Sequence, residues 1–329
     1  MSFDKLAVVG GGAWGTALAQ VAATGGRATL LWALEDDVVT AVNRIHENPV
    51  YLKGLKLDPA IRATSDFAEL AEADAWLVVT PAQHMRAVLE RARPAGRPLV
   101  LCSKGIEEKS NKLLHDVAHE VCPGSPVAVL SGPTFAHEVA AGLPTAVTLA
   151  CQDRELGEAL RARINLPSFR TYCTDDVAGA EVGGAVKNVL AIACGVAEGR
   201  GLGQNARAAL IARGFAEMTR FGMAMGGRRE TLAGLSGLGD LVLTCSSTSS
   251  RNFSLGKAIG EGKDVAELMR DRRTVAEGAH TAPVLDRIAK ERDIDMPLVD
   301  AVATLLAGKV GIAELLEKML SRPPGDEED

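Results

Sequence analysis

The chain has 329 residues, of which 47% are hydrophobic and 24% are charged. This length exceeds the roughly 250–300 residues that one hydrophobic core serves, so two domains are expected, and the balanced composition excludes an intrinsically disordered protein. A formal net charge of −6 argues against a nucleic-acid-binding protein, because phosphate backbones attract a basic surface. Six cysteines without a CxxC pair predict neither a zinc knuckle nor a disulfide framework.

The first residues and the apolar runs of the sequence bear on where the protein works. The N-terminus has neither the basic flank nor the long apolar segment of a signal peptide. The longest nearly apolar stretch, residues 189–197, is about half of what is needed to cross a bilayer. These features predict a cytoplasmic protein with a small-molecule ligand and no membrane insertion.

The first half of the chain alternates short apolar runs with helical patterns. The predicted strands are residues 6–10, 28–32, 75–80, 98–102, 127–130, 146–151 and 169–173. The predicted helices between them include residues 14–24, 36–46 and 111–121. Strands that are apolar almost throughout are buried on both faces, as in a parallel sheet covered by helices. This half is therefore predicted to be an α/β domain with a parallel sheet of the Rossmann type.

Beyond residue 175 the strand signals give way to helical patterns. The predicted helices are residues 177–198, 206–225, 276–291, 298–306 and 312–320, and a loop rich in Gly and Ser is predicted at 236–252. We expect an all-α C-terminal domain, with the division at residue 176, so that the domains are residues 1–176 and 177–329. The last residues, RPPGDEED, are expected to form an acidic disordered tail.

A glycine-rich turn follows the first predicted strand. Gly10, Gly12 and Gly15 form a GxGxxG motif that leads directly into a helical pattern, and Glu35 ends the second strand about 20 residues later. This context predicts a dinucleotide site with the phosphates at the helix N-terminus. A purely structural glycine turn is the alternative. The predicted coenzyme site comprises Gly10, Gly12, Ala13, Trp14, Gly15, Leu34 and Glu35.

A lysine follows another predicted strand of the same sheet. Lys104 comes directly after the strand at residues 98–102. Ligands of open α/β sheets gather at the carboxyl ends of strands, so this cation suits an anionic substrate. A solvated loop lysine is an equally good interpretation of Lys104 from the sequence.

A second lysine lies inside an apolar helix of the C-terminal half. Burial of the Lys187 ammonium is costly unless it is paired or loses its proton, and such lysines serve acid/base chemistry. The alternative is that Lys187 extends to the surface. Further along the chain, Asp240 is a candidate to orient this lysine, and Arg251 with Asn252 are candidates to hold a phosphate.

Two histidines on one predicted helix raise the question of a metal. His115 and His119 have the spacing of a zinc-binding HExxH helix, but Asp116 stands in place of the glutamate and no third ligand is suggested. We interpret this segment as the polar face of a helix and predict no metal site.

Seven blocks of sequence together carry a resemblance to a known family. They are GGGAWGTALA (10–19), SKGIE (103–107), SGPTFAHEVAAGLPTA (131–146), GGAVKNVLAI (183–192), GLGDLVLTC (237–245), SRN (250–252) and VAEG (275–278). With these blocks in this order, the chain resembles bacterial NAD(P)-dependent glycerol-3-phosphate dehydrogenase over nearly its whole length. The resemblance implies a Rossmann domain joined to an all-helical domain.

The resemblance also implies roles for individual residues. Lys187 corresponds to the proton donor and acceptor. The positions that correspond to substrate-binding residues are Lys104, Gly132, Thr134, Lys187, Asp240, Ser250, Arg251 and Asn252. Those that correspond to coenzyme-contacting residues are Trp14, Lys104, Ala136, Arg251, Val275 and Glu277.

The activity expected from the resemblance is reversible hydride transfer between NAD(P)H and dihydroxyacetone phosphate, which gives sn-glycerol 3-phosphate for phospholipid synthesis. One departure concerns Leu34, where family members often carry Arg or His. The resemblance therefore supplies no cation there for a 2′-phosphate. No basic residue occurs between Ala33 and Val42, and Glu35 and Asp36 would repel a 2′-phosphate, so NADH is expected to serve at least as well as NADPH.

Two alternatives and one property remain open at this point. Another hydroxyacid dehydrogenase of the same build would not need a phosphate on its substrate. A dinucleotide-sensing binding protein would not need Lys187. The oligomeric state is also open, a homodimer included.

Overall fold

A computed structural model of the chain describes residues 3–270 and 276–314. The chain divides into unit 1, Met1–Glu181, and unit 2, Val182–Asp329. The predicted division at residue 176 lies just before the long helix α7, Val177–Gly199, and the division into compact units lies within that helix. The predicted acidic tail lies outside the described residues.

Unit 1 contains one eight-stranded sheet. Its strands are β1 (Lys5–Val9), β2 (Ala28–Trp32), β3 (Ile61–Thr64), β4 (Ala75–Val78), β5 (Leu99–Leu101), β6 (Val127–Ser131), β7 (Thr145–Cys151) and β8 (Phe169–Thr174). Its helices are α1 (Ala13–Thr24), α2 (Asp36–Ile45), α3 (Ala82–Ala92), α4 (Leu114–Val121), α5 (Ala136–Ala140) and α6 (Arg154–Ile164), with a 3₁₀ helix at Phe67–Glu72.

The strand order is β3-β2-β1-β4-β5-β6-β7-β8. All neighbouring pairs are parallel except β6 and β7, which are antiparallel. The first six strands have the order of a doubly wound dinucleotide-binding sheet. The predicted Rossmann-type α/β domain is confirmed, with the correction that β7 and β8 run against the other strands. A dedicated strand β3 was also not predicted.

Helices cover both faces of this sheet, as the apolar strands require. Leu6 and Val8 of β1 belong to a core cluster that includes residues of α1 and α6. Ala7 and Val9 face the opposite side, in a cluster that includes residues of α3 and α4. Successive side chains of a strand point to opposite faces, so β1 is buried on both. The chain therefore leaves β1 on one face and β4 on the other, which opens a crevice at their carboxyl ends.

The regular elements of unit 2 are all helices among its described residues. After α7 the helices are α8 (Gly203–Ala224), α9 (Arg229–Leu232), α10 (Asp240–Cys245), α11 (Arg251–Gly260), α12 (Val265–Leu268), α13 (Glu277–Glu291) and α14 (Pro297–Leu306), with a π-helical turn at Leu235–Gly239. The predicted all-α C-terminal domain is confirmed. The helix predicted at 312–320 lies mostly outside the described residues.

Helices α7 and α11 cross closely at glycines. A Cβ on Gly195 would come 2.1 Å from the carbonyl oxygen of Phe253, and a Cβ on Gly256 would come 2.1 Å from that of Ile192. Larger side chains at either glycine would force the two helices apart. This close packing holds the start of α11 beside α7.

Candidate active site

The glycine turn between β1 and α1 has the shape that a dinucleotide site needs. Gly10 has a φ of +130°, and a Cβ there would lie 2.9 Å from the carbonyl carbon of Val79 on the neighbouring strand segment. A Cβ on Gly15 would lie 1.8 Å from the carbonyl oxygen of Gly10. Only glycines allow the turn and the contact of α1 with it. The helix N-terminus is thereby held at the carboxyl end of β1.

The first turn of α1 also offers the donors that a pyrophosphate requires. Gly12 is the N-cap residue and no side chain caps the helix, so the first amide groups of this twelve-residue helix have no intrahelical acceptor. A Cβ on Gly12 would meet nothing within 4 Å, which leaves open space in front of these amides. The indole Nε1 of Trp14 is buried without a hydrogen-bond partner among the described residues. These features fit a bound dinucleotide at the predicted residues Gly10, Gly12, Ala13, Trp14 and Gly15.

The end of β2 lies against this turn. A Cβ on Gly11 would come 2.4 Å from Cβ of Ala33, the residue after β2. Leu34 is 70% exposed, and Glu35 is the N-cap residue of α2. The hydroxyl of Tyr51 donates a hydrogen bond of 2.7 Å to Oε1 of Glu35. The sequence motif indicated Glu35, but it gave no indication of Tyr51.

Three predicted residues converge at the carboxyl ends of β5 and β6. Nζ of Lys104 lies 3.4 Å from the carbonyl oxygen of Gly132, and Oγ1 of Thr134 donates to the same oxygen at 3.3 Å. The loop after Lys104 is braced by Glu107, which accepts two hydrogen bonds from the guanidinium of Arg86 at 2.9 and 2.8 Å. The hydrogen bonds from Arg86 lower the pKa of Glu107. Lys104 is half-buried and lies in the loop that follows β5.

Lys187 lies in a buried polar cluster of unit 2. Its Nζ is 2.5 Å from Oδ1 of Asp240 and 2.9 Å from Oγ1 of Thr244. Lys187 is 5% exposed and Asp240 is fully buried, so the alternative that this lysine extends to the surface is wrong. A carboxylate at this distance favours the ammonium form of the lysine. A buried ammonium with a fixed counter-ion is suited to donate a proton and to stabilise a developing oxyanion.

The segment that carries Asp240 is helical, which corrects the predicted loop at 236–252 for residues 236–245, whereas residues 246–250 are non-helical as predicted. The π-helical turn runs directly into α10, and α11 begins at Arg251. A Cβ on Gly237 would lie 1.9 Å from the carbonyl oxygen of Leu232, and a Cβ on Gly183 would lie 2.3 Å from that of Ser236. The glycines that suggested a loop instead permit close helix packing. Such packing stabilises a helical conformation that glycine by itself disfavours.

The three predicted residues at the start of α11 differ in their contacts: two form hydrogen bonds within the protein and are buried, and the third is exposed. Ser250 is the N-cap residue, and its Oγ accepts a hydrogen bond from the amide of Phe253 at 3.2 Å. The side chain of Asn252 donates to Oδ1 of Asn188 and accepts from the amide of Gly278, both at 2.9 Å. Arg251 is exposed. Of the three, Arg251 is the residue that a ligand reaches most easily.

The remaining predicted coenzyme residues lie on different elements. Ala136 begins α5, which belongs to unit 1 and packs on α1. Glu277 begins α13 in unit 2, next to Gly278. Val275 lies outside the described residues. The sequence did not single out Asn188 and Thr244, although they lie within the blocks 183–192 and 237–245 that carry the family resemblance.

His115, on the predicted polar helix face, contacts the buried side chain of Glu181. Nδ1 of His115 lies 2.5 Å from Oε2 of Glu181, whose side chain is buried, and the backbone amide of His115 donates to Oε1. Burial raises the pKa of Glu181. Burial lowers the pKa of His115, but the hydrogen bond and the charge of Glu181 outweigh burial, so the pKa of His115 is raised overall. No group of three or more metal-ligating side chains occurs within residues 3–270 and 276–314.

Comparison with known proteins decides the family. Residues 5–157 match the model of the NAD-dependent glycerol-3-phosphate dehydrogenase N-terminus, and residues 176–317 match the model of its C-terminus. The chain belongs to the NAD-dependent glycerol-3-phosphate dehydrogenase family. The resemblance inferred from the seven sequence blocks is thereby confirmed.

Several relatives of this glycerol-3-phosphate dehydrogenase family member are similar over the full length. The chain is 62% identical to glycerol-3-phosphate dehydrogenase (NAD(P)+) of Erythrobacter litoralis, over 97% of this chain and 96% of the relative. It is 56% identical to the enzyme of the same name from Parvibaculum lavamentivorans, over 98% of both chains. A crystal structure of glycerol-3-phosphate dehydrogenase from Coxiella burnetii superposes with a TM-score of 0.92 at 38% identity, over 98% of this chain and 99% of that one.

Within residues 3–270 and 276–314 of this dehydrogenase family member, one helix is long and apolar enough to cross a membrane by length and composition. It is α7, and 89% of its apolar window is buried inside the protein. A core helix of a soluble protein has these properties.

Proposed function

We propose that this protein catalyses reversible hydride transfer between NAD(P)H and C2 of dihydroxyacetone phosphate, giving sn-glycerol 3-phosphate. The observation that carries the proposal is the buried cluster of Lys187, Asp240 and Thr244. Family membership supplies the reaction class, and the seven matching blocks supply the residues.

The coenzyme is held, in this proposal, by the turn and helix N-terminus at the end of β1. Backbone amides of Ala13 and Trp14 bind the pyrophosphate, and Glu35 accepts a hydrogen bond from the ribose. The family resemblance assigns further coenzyme contacts to Ala136, Val275 and Glu277. When bound, the nicotinamide supplies or accepts the hydride.

Lys187 carries the acid/base chemistry. Its ammonium donates a proton to the carbonyl oxygen as the alcohol forms, and its neutral amine accepts that proton in the oxidative direction. Asp240 fixes the ammonium at 2.5 Å and stabilises its charge in a site from which water is largely excluded. Thr244 supplies a second fixed contact, so the lysine is oriented before substrate arrives.

The substrate phosphate is bound by cations in this proposal. Arg251 presents a planar fork of donors that matches a phosphate, with Ser250 and Asn252 holding the start of its helix. Lys104, with Gly132 and Thr134 beside it, adds positive charge and hydrogen-bonding groups for the anionic substrate.

The proposal also covers the setting of the reaction. Residues 1–176 form the domain that carries the dinucleotide turn and residues 177–329 form the domain that carries Lys187, a division supported by family models that cover 5–157 and 176–317. The product serves glycerophospholipid synthesis, and the protein works in the cytoplasm without membrane insertion or nucleic-acid partners, as a homodimer.

The test is an absorbance assay of reduced-coenzyme consumption. With dihydroxyacetone phosphate we expect turnover, and with unphosphorylated dihydroxyacetone we expect kcat/KM to fall by at least about 100-fold, because charge-assisted phosphate contacts are each worth about 1.5–3 kcal/mol. Equal use of both substrates would indicate a different hydroxyacid dehydrogenase. Coenzyme binding without turnover of either would indicate a sensor.

A further inference from the structure

The segment that follows α2 links the glycine turn to the acidic residue at the end of β2. Asn48 is fully buried, and its Nδ2 donates at 2.8 Å to the carbonyl oxygen of Gly11 and at 2.8 Å to Oγ1 of Thr16. Its Oδ1 accepts a hydrogen bond from the backbone amide of Tyr51 at 3.1 Å. One buried amide therefore fixes the turn, the start of α1 and the backbone of Tyr51 together.

The side chain of Tyr51 extends this link to Glu35. Its ring packs half-buried on the apolar core of unit 1, and its hydroxyl donates to Oε1 of Glu35 at 2.7 Å. An aromatic ring has few rotamers, so the hydroxyl is a rigid donor. The hydrogen bond engages one oxygen of the carboxylate and leaves Oε2 as an acceptor for a ligand.

A Glu35 carboxylate that is fixed in position can distinguish NAD(H) from NADP(H), which carries an additional 2′-phosphate. A ribose 2′-hydroxyl donates to it, whereas a 2′-phosphate is repelled by it. The residues on either side of Glu35 in the chain add no positive charge, since Leu34 is exposed and apolar and Asp36 is acidic. A mobile Glu35 would turn away from a phosphate, but a Glu35 held by Tyr51 would have to break a hydrogen bond to do so.

We propose that Tyr51 is a positioning residue for coenzyme selectivity: through Glu35 it favours a dinucleotide with a free ribose 2′-hydroxyl over one with a 2′-phosphate. This inference rests on the proposed function, in which the turn at Gly10–Gly15 binds NAD(H) or NADP(H). Tyr51 does not take part in hydride or proton transfer. Its removal therefore changes affinity and selectivity, and leaves kcat unchanged.

The first experiment compares wild type with Tyr51→Phe, which keeps the ring and removes the hydroxyl. Calorimetric Kd values for NADH and NADPH are measured without substrate, and KM and kcat are measured for both coenzymes with dihydroxyacetone phosphate. We expect Kd and KM for NADH to rise about 5–10-fold, because one hydrogen bond that holds Glu35 is lost. Those for NADPH should stay within twofold or fall, because the released Glu35 can turn away from the 2′-phosphate, and kcat should stay within twofold of wild type. The chain has two tyrosines, so Tyr172→Phe, on the exposed face of β8, is the matched control and should change none of these values.

The second experiment is a double-mutant cycle with Glu35→Gln, which keeps the size of the side chain and removes its charge. If Tyr51 acts through Glu35, adding Tyr51→Phe to Glu35→Gln should change the NADH/NADPH selectivity by less than twofold. Additive effects would overturn the proposal, as would an equal loss of affinity for both coenzymes or a fall in kcat of tenfold. If Tyr51→Phe unfolds at the assay temperature, Glu35→Gln by itself still tests whether the charge of Glu35 determines the NADH/NADPH selectivity.

The calorimetric arm separates this inference from the proposed function. If Tyr51→Phe changes the ratio of the Kd values for NADH and NADPH, the positioning role is supported even if no dihydroxyacetone phosphate is reduced. Turnover of dihydroxyacetone phosphate with an unaltered selectivity in Tyr51→Phe supports the proposed function and overturns the inference.

Discussion

The ammonium of Lys187 and the carboxylate of Asp240 form an ion pair of 2.5 Å inside unit 2, and neither side chain is more than 6% exposed. The two residues are 53 positions apart in the chain. Charges buried this deeply destabilise a fold unless they compensate each other, so the pair acts as one unit in both stability and chemistry.

The first prediction concerns this pair. Lys187→Met should lower kcat by about 10²–10⁴-fold, because the proton donor is removed while the length of the side chain is kept. It should also lower the free energy of unfolding by about 3–5 kcal/mol, since the ammonium no longer compensates the buried charge of Asp240. The measurements are steady-state kinetics and denaturant unfolding.

A second variant separates the two effects. Lys187→Met combined with Asp240→Asn removes both charges, so most of the lost stability should return while activity stays low. Turnover near the wild-type rate in a folded Lys187→Met protein would show that another group moves the proton.

The second prediction concerns phosphate recognition by Arg251. Arg251→Lys keeps the charge but loses the planar fork, so KM for dihydroxyacetone phosphate should rise by about 10–100-fold, which corresponds to about 1.5–3 kcal/mol for a charge-assisted contact. KM for the coenzyme should be measured in the same assays, because the family resemblance assigns Arg251 to both ligands. Arg213→Lys, at an exposed position of α8, is the control. Unaltered constants for both ligands would remove Arg251 from the site.

The third prediction concerns Leu34, whose side chain is 70% exposed at the end of β2. Wild type should use NADH at least as well as NADPH. Leu34→Arg should shift the ratio of kcat/KM toward NADPH by about tenfold, or about 1.4 kcal/mol, because a guanidinium attracts the 2′-phosphate. Leu202→Arg adds the same charge at an exposed position of unit 2. If Leu34→Arg behaves like this control, residue 34 does not face the ribose. A wild-type preference for NADPH above about tenfold would mean that a cation elsewhere in the fold binds the phosphate.

The fourth prediction concerns the pH dependence of stability through Glu217. Its carboxyl group accepts hydrogen bonds from the backbone amides of Leu298 and Val299 in the first turn of α14, at 2.7 and 3.2 Å, and the residue is 1% exposed. Burial raises the pKa of Glu217 to about 7, although these hydrogen bonds oppose the shift. Between about pH 4.5 and pH 7, Glu217 therefore keeps its proton in the folded state but has lost it in the unfolded state. The contribution of Glu217 to the free energy of unfolding is fully present below pH 4.5 and is lost as pH rises through 7.

Glu217→Gln removes this titration. The difference in the free energy of unfolding between wild type and Glu217→Gln should change by about 3 kcal/mol between pH 4.5 and pH 8, with wild type losing stability relative to the variant as pH rises. Denaturant unfolding at four pH values across this range measures it. Parallel stability curves for the two proteins would show that Glu217 keeps one protonation state throughout.

Local patterns predicted most of unit 1 and the main helices of unit 2. Residues 28–32 are a strand as predicted, because a strand that is buried on both faces is mostly apolar. Strand β3 was not predicted, since it lies at the edge of the sheet and its short sequence, IRAT, includes an exposed arginine. The predicted loop was wrong for residues 236–245, because Gly237 packs closely against the backbone of Leu232, a contact that the local sequence does not reveal.

The sequence by itself determined the fold class, the dinucleotide turn and the unusual position of Lys187, because each depends on residues that are neighbours in the chain. The tertiary structure decided the partners: Asp240 and Thr244 for Lys187, Tyr51 for Glu35, and Glu217 for the start of α14. These contacts join residues 16 to 81 positions apart. A hydrogen bond or an ion pair depends on distances of about 3 Å, and separation along the chain does not determine such distances once the chain has folded.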